Sequence, residues 1–182
     1  MSPTDLIIPS CRQMLTALST WLDKAALHLP AAETEALLSA RLAPDMYPLS
    51  SQIRFACLQA QEAVYRLRDT PLPEVLEQLA REGREADAQP GALSDARARI
   101  AETLTLLDSL DAGALDAGAG RLLTLELPNG MVLDMTGEAY ARDWLLPQFY
   151  FHLMTAYAIL RGQGIALGKA DYVPHVLAYV RP

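Results

Sequence analysis

The sequence predicts an all-α protein: an antiparallel bundle of four long amphipathic helices with a small β-hairpin ahead of the fourth. Three observations predict it. Four stretches carry apolar residues at spacings of three and four. Of the 182 residues 51% are hydrophobic, with alanine and leucine dominant and few aromatics, which is a helical composition. Pro128-Asn129-Gly130, between two alternating runs, is the one clear β signal. A chain of this length is about one domain and buries most of its apolar surface. Residues 1–182 are therefore read as one bundle domain, with 173–182 as an extra packing segment.

The first helix is expected from about Pro9 to Leu29, with Cys11, Met14, Leu15, Leu18, Trp21, Leu22 and Ala25 on its apolar stripe. Pro30 ends it, and His28 suits the negative end of the helix dipole. A short helical turn, ETEALLSA, leads into residues 41–48, where Pro44 and Pro48 deny regular helix and predict a defined extended loop. Ser50 and Ser51 are read as caps of the second helix, which runs to about Arg68. Ile53, Ala56, Cys57, Ala60, Val64 and Leu67 form its buried face, and Gln52 and Gln59 lie on an adjoining stripe. The small residues on that face allow a neighbouring helix to approach closely.

Residues 69–89 read as a mixed connection in which PEVLEQLAREGREA forms a turn or two of helix with solvated charges. The third helix is expected from near Ser94 to about Leu110, through Ile100, Thr103, Leu104 and Leu107. Asp95 sits at its positive end. DAGALDAGAGR then reads as a flexible link. RLLTLEL and MVLDM flank the Asn-Gly pair of a two-residue hairpin, and Leu123, Leu125 and Leu127 alternate with Thr124 and Glu126. Thr136 then caps the central helix.

The stretch LLPQFYFHLMTAYAILRGQG, residues 145–164, forms the body of that helix. Leu145, Phe149, His152, Ala156 and Ile159 share one face, and Pro147 either lies in the first turn or kinks the helix. His152 is placed facing inward, where a neutral imidazole needs a hydrogen-bond partner; Tyr150, Tyr157 and Thr155 are near it in sequence. The apolar tail after Gly164 is expected to pack on the bundle or on a partner chain.

Bulk charge narrows the function. With 22 acidic against 15 basic residues the net charge is −7, and no basic stripe exists to hold a phosphate backbone, so no nucleic-acid partner is expected. No apolar run is long enough to span a bilayer, and the start MSPTDLIIPS lacks the basic region of a secretory signal. A cytoplasmic protein is expected. Cys11 and Cys57 sit on apolar helix faces as small reduced core residues. No glycine-rich phosphate loop, GxSxG elbow or paired nucleophile stands out, so no catalytic residue is assigned.

Two segments, ARLAPDMYPLSSQIRFA (residues 40–56) and LPQFYFHLMTAYAILRGQGIALGKADY (residues 146–172), resemble the hallmark segments of a bacterial family known as domain of unknown function nineteen-ninety-three. That family is placed in the DinB/YfiT-like superfamily of metalloenzyme-type bundles. The resemblance implies a four-helix bundle with a long crossover between helices two and three. It also implies a homodimer, and no established activity. Metal-binding members of the superfamily use one histidine of the second helix and two of the fourth, spaced HxxxH, because residues four apart share a helical face and converge on one ion. Here the fourth helix offers His152, but position 156 is alanine and the second helix has no histidine. His28 and His175 lie in other segments. No metal or other cofactor is therefore predicted, with His152 the only residue left to anchor a divalent ion, and Asp45 and Gln52 the only oxygen donors near enough to be considered.

Arg41, Asp45, Tyr47, Gln52, Tyr150, His152 and Tyr157 form a polar set in apolar surroundings. They are read either as a structural network pinning the loop or as the lining of a small-ligand pocket between helices two and four. Three functional classes are open: a dimeric, metal-free binding module; a divergent metal-dependent thiol transferase or hydrolase of the superfamily; or a structural or stress-related interaction protein without catalysis.

Overall fold

A computed structural model of the chain describes residues 2–127 and 129–181. Helix α1 (Pro3–His28) opens with Ser2, whose hydroxyl accepts from the Asp5 N–H at 3.2 Å, and with Pro3 in its first turn. It starts ahead of the expected Pro9. That residue lies inside the helix and leaves the Asp5 carbonyl without its usual bond, while Ile7, Ile8 and Cys11 are buried around it. Helix α2 (Ala31–Ala36) and a tight turn to Ser39 lead into the loop that ends at Pro48.

Helix α3 (Leu49–Arg68) ends on Asp69 in the left-handed conformation, φ 58°. Its N-cap is Pro48, and Ser50 and Ser51 are not caps. Both lie within the first turn and are fully buried; Ser50 donates to the Pro90 carbonyl, and the Ser51 hydroxyl has no hydrogen-bond partner among the described residues. The tertiary fold claims the serines because the helix start itself is buried.

The crossover from 69 to 92 contains a helix of 12 residues, α4 (Glu74–Glu85), rather than a turn or two. It lies along α3, with Leu76 and Leu79 turned inward. A Cβ on Gly83 would sit 2.5 Å from the Phe55 ring, so only glycine permits that approach. Helix α5 (Leu93–Asp108) follows, its first N–H groups held by Asp95 and by Glu35 of the α2 segment.

The segment 111–121 is ordered, not a flexible link. Thr4 of α1 donates its N–H to Asp116 at 3.0 Å, and its hydroxyl accepts from the Leu115 N–H at 2.9 Å. A Cβ on Gly118 would lie 2.2 Å from the Leu67 carbonyl oxygen, and one on Gly137 would lie 2.1 Å from that of Gly118. The glycines allow backbone-to-backbone packing, not mobility.

Strands β1 (Leu122–Glu126) and β2 (Val132–Thr136) pair antiparallel, with Leu123 opposite Met135 and Leu125 opposite Leu133. Leu123 and Leu125 are buried while Thr124 and Glu126 are exposed, as the alternation predicts. Leu127 N–H still bonds Met131 O at 2.8 Å, so the reversal takes three residues rather than two, with Gly130 at φ 84°. Pro128 of that reversal lies outside the described residues.

Thr136 is the cap, accepting from the Ala139 N–H at 3.2 Å, and helical structure then runs unbroken to Gly162. It begins as α6 (Gly137–Ala139), widens to a π turn over Tyr140–Leu145, and continues as α7 (Leu146–Gly162). The wide turn immediately precedes Pro147, which cannot donate to the turn before it. Ile165 and Leu167 then pack on the core, and α8 (Lys169–Tyr172) folds back onto α1, where Trp21 Nε1–H donates to the Asp171 carbonyl at 2.8 Å. From Val176 onward the apolar residues are exposed.

Helices α1, α7, α3 and α5 close a ring, each packed on the two beside it, with α4 on the outer side of α3. Cys11 and Cys57 are free, buried thiols, and burial pushes Cys57 up to about 12. Among the described residues no helix is long and apolar enough to cross a membrane.

Replacing Gly118 by alanine should lower stability by about 2–3 kcal/mol, because the new methyl group overlaps the Leu67 carbonyl. Urea denaturation measures this; an unchanged midpoint would show that the backbone contact yields freely.

Candidate functional site

The candidate site lies where α3 faces α7 beneath the 40–48 loop. Gln52 is buried, and its amide spans two elements. The Nε2 group donates to the Tyr47 carbonyl at 3.0 Å, and Oε1 meets His152 Nδ1 at 2.8 Å. This pair of contacts fixes the histidine tautomer. A carbonyl oxygen accepts only, so the amide nitrogen must face Tyr47 and the amide oxygen must face the ring. Nδ1 therefore carries the proton, and Nε2 keeps its lone pair. Nε2 has no hydrogen-bond partner among the described residues.

Aromatic rings frame the imidazole. The Phe55 centroid lies 5.2 Å from that of His152 and Phe151 lies 5.4 Å away, nearly perpendicular. Tyr47 meets Phe55 edge-on at 5.4 Å. Burial among them pushes the imidazole pKa down to about 4, so the ring is neutral at physiological pH.

The seven residues read as one polar set divide into three groups. Gln52, His152 and the backbone of Tyr47 form the network just described. Arg41, Asp45 and Tyr47 line a surface pocket of about 190 Å³, whose lining includes neither Gln52 nor His152. Arg41 holds this loop through the carbonyl of Met46 at 3.2 Å and Asp87 at 2.7 Å, while Asp45 is exposed. Tyr150 and Tyr157 are on the other side of α7. Tyr150 lies near Ser10 and Gln13 of α1, and Tyr157 packs against Trp21 and Tyr172 at 5.4 and 5.7 Å. The expectation that these tyrosines serve His152 is corrected by helical geometry: neighbours in sequence point to different faces. Thr155 likewise turns to its own helix, donating to the Phe151 carbonyl at 2.7 Å.

Phe55 is the site residue that sequence reasoning missed. Its spacing of three from Gln52 put it on the right face, but only the packing of α4 through Gly83 shows the ring held against His152.

The fold is that of a DinB-type helical bundle. A solved structure described as a DinB family member protein from Shewanella denitrificans matches with a TM-score of 0.73 and 31% identity, covering 93% of this chain and 90% of that chain. The chain belongs to the family described as domain of unknown function DUF1993, which matches residues 4–173. No curated protein matches it.

The donor set does not fit a metal held in the manner of the wider superfamily. The residue four after His152 is Ala156, buried and without a donor atom. The α3 residue facing the ring is Gln52, whose oxygen is taken by Nδ1–H. Asp45 lies in the loop pocket instead. Among the described residues no group of three or more histidine, cysteine or acidic side chains could hold an ion.

His152 should behave as a half-buried structural base. Folding lowers its pKa from the ordinary 6.5 to about 4, so below pH 6.5 the unfolded chain takes up the proton first. The stabilisation is complete above about pH 6.5 and is lost as pH falls towards 4, up to about 3 kcal/mol. At pH 7 His152→Ala should cost about 1–3 kcal/mol through the lost bond to Gln52 and lost packing. Urea midpoints of both proteins at pH 7 and 4.5 test this: the wild type loses more on acidification than the variant, and equal losses would contradict it.

Proposed function

We propose that the chain is a DinB-like binding module that takes a small ligand at the edge between α3 and α7, with His152 Nε2 as its hydrogen-bond acceptor. The observation that carries this reading is the tautomer. Gln52 holds the ring with Nδ1–H inward, leaving a neutral, unpartnered acceptor nitrogen beside Phe55 and Phe151. A ligand suited to that setting has one O–H or N–H donor on a flat apolar body. Such a site suits binding and orienting a ligand, since the groups hydrogen-bonded or stacked on His152 among the described residues are an amide and aromatic rings. We take the working unit to be a cytoplasmic homodimer. Phe151 and Met154, 55% and 44% exposed on α7, and the exposed Val176, Leu177 and Tyr179 of the tail support self-association. Sedimentation at micromolar concentration tests that part.

Phenol is the simplest probe of the site. On protein labelled with ¹⁵N-histidine, its addition should move the His152 Nε2 resonance saturably and leave Nδ1 in place. Phe55→Ala should weaken the effect about tenfold, or about 1.4 kcal/mol. An Nε2 signal insensitive to phenol would overturn the binding reading and favour a structural role.

A second reading, a divergent metal-dependent transferase or hydrolase, draws support from the same free Nε2, which is the form a metal requires. Elemental analysis of untagged protein purified without chelator separates the two. The binding reading expects no stoichiometric transition metal, and one equivalent of zinc or nickel would favour the enzyme.

A further inference from the structure

A larger cleft, about 440 Å³, opens between α3, α4 and α5, on a different face of α3 from the one that carries Gln52. Its floor is Arg54, whose side chain is only 4% exposed. Nη1 of that guanidinium is held by the carbonyl and hydroxyl of Ser50, and Nε donates to Glu82 at 3.3 Å. Nη2 has no hydrogen-bond partner among the described residues. It faces Gly91, where an added Cβ would lie 2.7 Å from Nη2 and 3.2 Å from Asp95 Oδ2. Gly91 has φ +72° and no side chain, so the guanidinium packs close against the backbone there and no methyl group crowds it or the Asp95 carboxylate.

Charge around the cleft selects its occupant. Glu82 is shared between two arginines: Arg99 donates to it at 2.6 and 3.2 Å, and Arg54 donates from the other side. Burial alone would raise its carboxyl, but the hydrogen bonds from Arg99, Gln78 and Arg54 hold it below the ordinary carboxylate range. Glu102 is paired with Arg99 at 3.0 Å. Two arginines against Glu82, Asp95 and Glu102 leave one carboxylate charge in excess, and Asp95 forms no ion pair among the described residues. The α5 N-terminus is already satisfied, since Asp95 holds the Ala92 N–H and Glu35 holds the Leu93 N–H. The cleft thus offers one free N–H of a buried guanidinium and, beside it, one carboxylate with no ion-pair partner among the described residues. A simple anion would meet three carboxylates, and a simple cation would meet two guanidinium groups.

We propose that this cleft binds a zwitterion of the free amino-acid class, its carboxylate on Arg54 Nη2 and its ammonium on Asp95. The groups are those of the α3–α4–α5 face, so the site is independent of His152 and would stand or fall separately from the α3–α7 reading.

The test is an NMR titration of the full ¹⁵N-labelled chain with glycine, L-glutamine and L-lysine, set against acetate and methylammonium. At least one amino acid should shift the Gly91 amide and the Arg54 Nε–H saturably, and at least tenfold more tightly than acetate or methylammonium. Asp95→Asn, which keeps an oxygen for the Ala92 N–H, should weaken that binding about tenfold. Ala98→Phe, on the exposed face of α5 at the cleft, should abolish it without changing the melting temperature. Three results would overturn the proposal: no saturable shift with any amino acid, which leaves a water-filled cleft; acetate binding as tightly as the amino acids; or binding that survives Ala98→Phe.

Discussion

Helix α3 is packed on several sides at once, by α7, α5 and α4, and the rest of the structure answers to that burial. A helix so enclosed would ordinarily be apolar all round. Instead α3 buries Ser50, Ser51, Gln52, Arg54 and Gln61. Each such group costs free energy unless it finds a partner, and all but Ser51 find one among the described residues. Gln52 takes His152 and the Tyr47 carbonyl; Arg54 takes Ser50 and Glu82; Gln61 donates to Thr103 at 2.8 Å. Small residues at 56, 57, 60 and 63 let the neighbouring helices approach α3 closely.

The same constraint explains the character of the α3–α7 edge. Gln52 acts on His152 as an outer acceptor acts on a metal-ligating histidine: it fixes the tautomer and directs the other nitrogen outward. Convergence stops there, because Ala156 supplies no second donor and the α3 position opposite is an amide already in use. What is left is a fixed, neutral acceptor framed by aromatic rings. On the opposite side of α3 the guanidinium of Arg54 is likewise oriented by its own helix, through Ser50, with one N–H left to face outward. One buried polar helix therefore presents oriented groups on two faces.

Much of the fold was legible because it rests on local periodicity. The apolar stripes of α1, α3, α5 and α7, the alternating leucines of β1 and the Thr136 cap are properties of short segments, and the physics that reads them is local. Misreadings fell where a distant segment overrides local preference. Ser50 and Ser51 look like caps until the loop at Pro90 claims one of them. Residues 111–121 look flexible until Thr4, more than a hundred positions away, pins Leu115 and Asp116. The charges of α4 look solvated until Glu82 meets two arginines from other helices.

By itself the sequence determined the helical class, the order of the elements, the inward stripes and the absence of an HxxxH pair on the fourth helix. These follow from residue identity and spacing along one chain. Only the tertiary structure decided the partner of His152, the turning away of Tyr150 and Tyr157, the place of Phe55, and the cleft around Arg54. Those depend on which helix faces which and at what rotation. A change of one residue position turns a side chain by about 100° around a helix, so adjacency in sequence does not fix which groups meet across an interface.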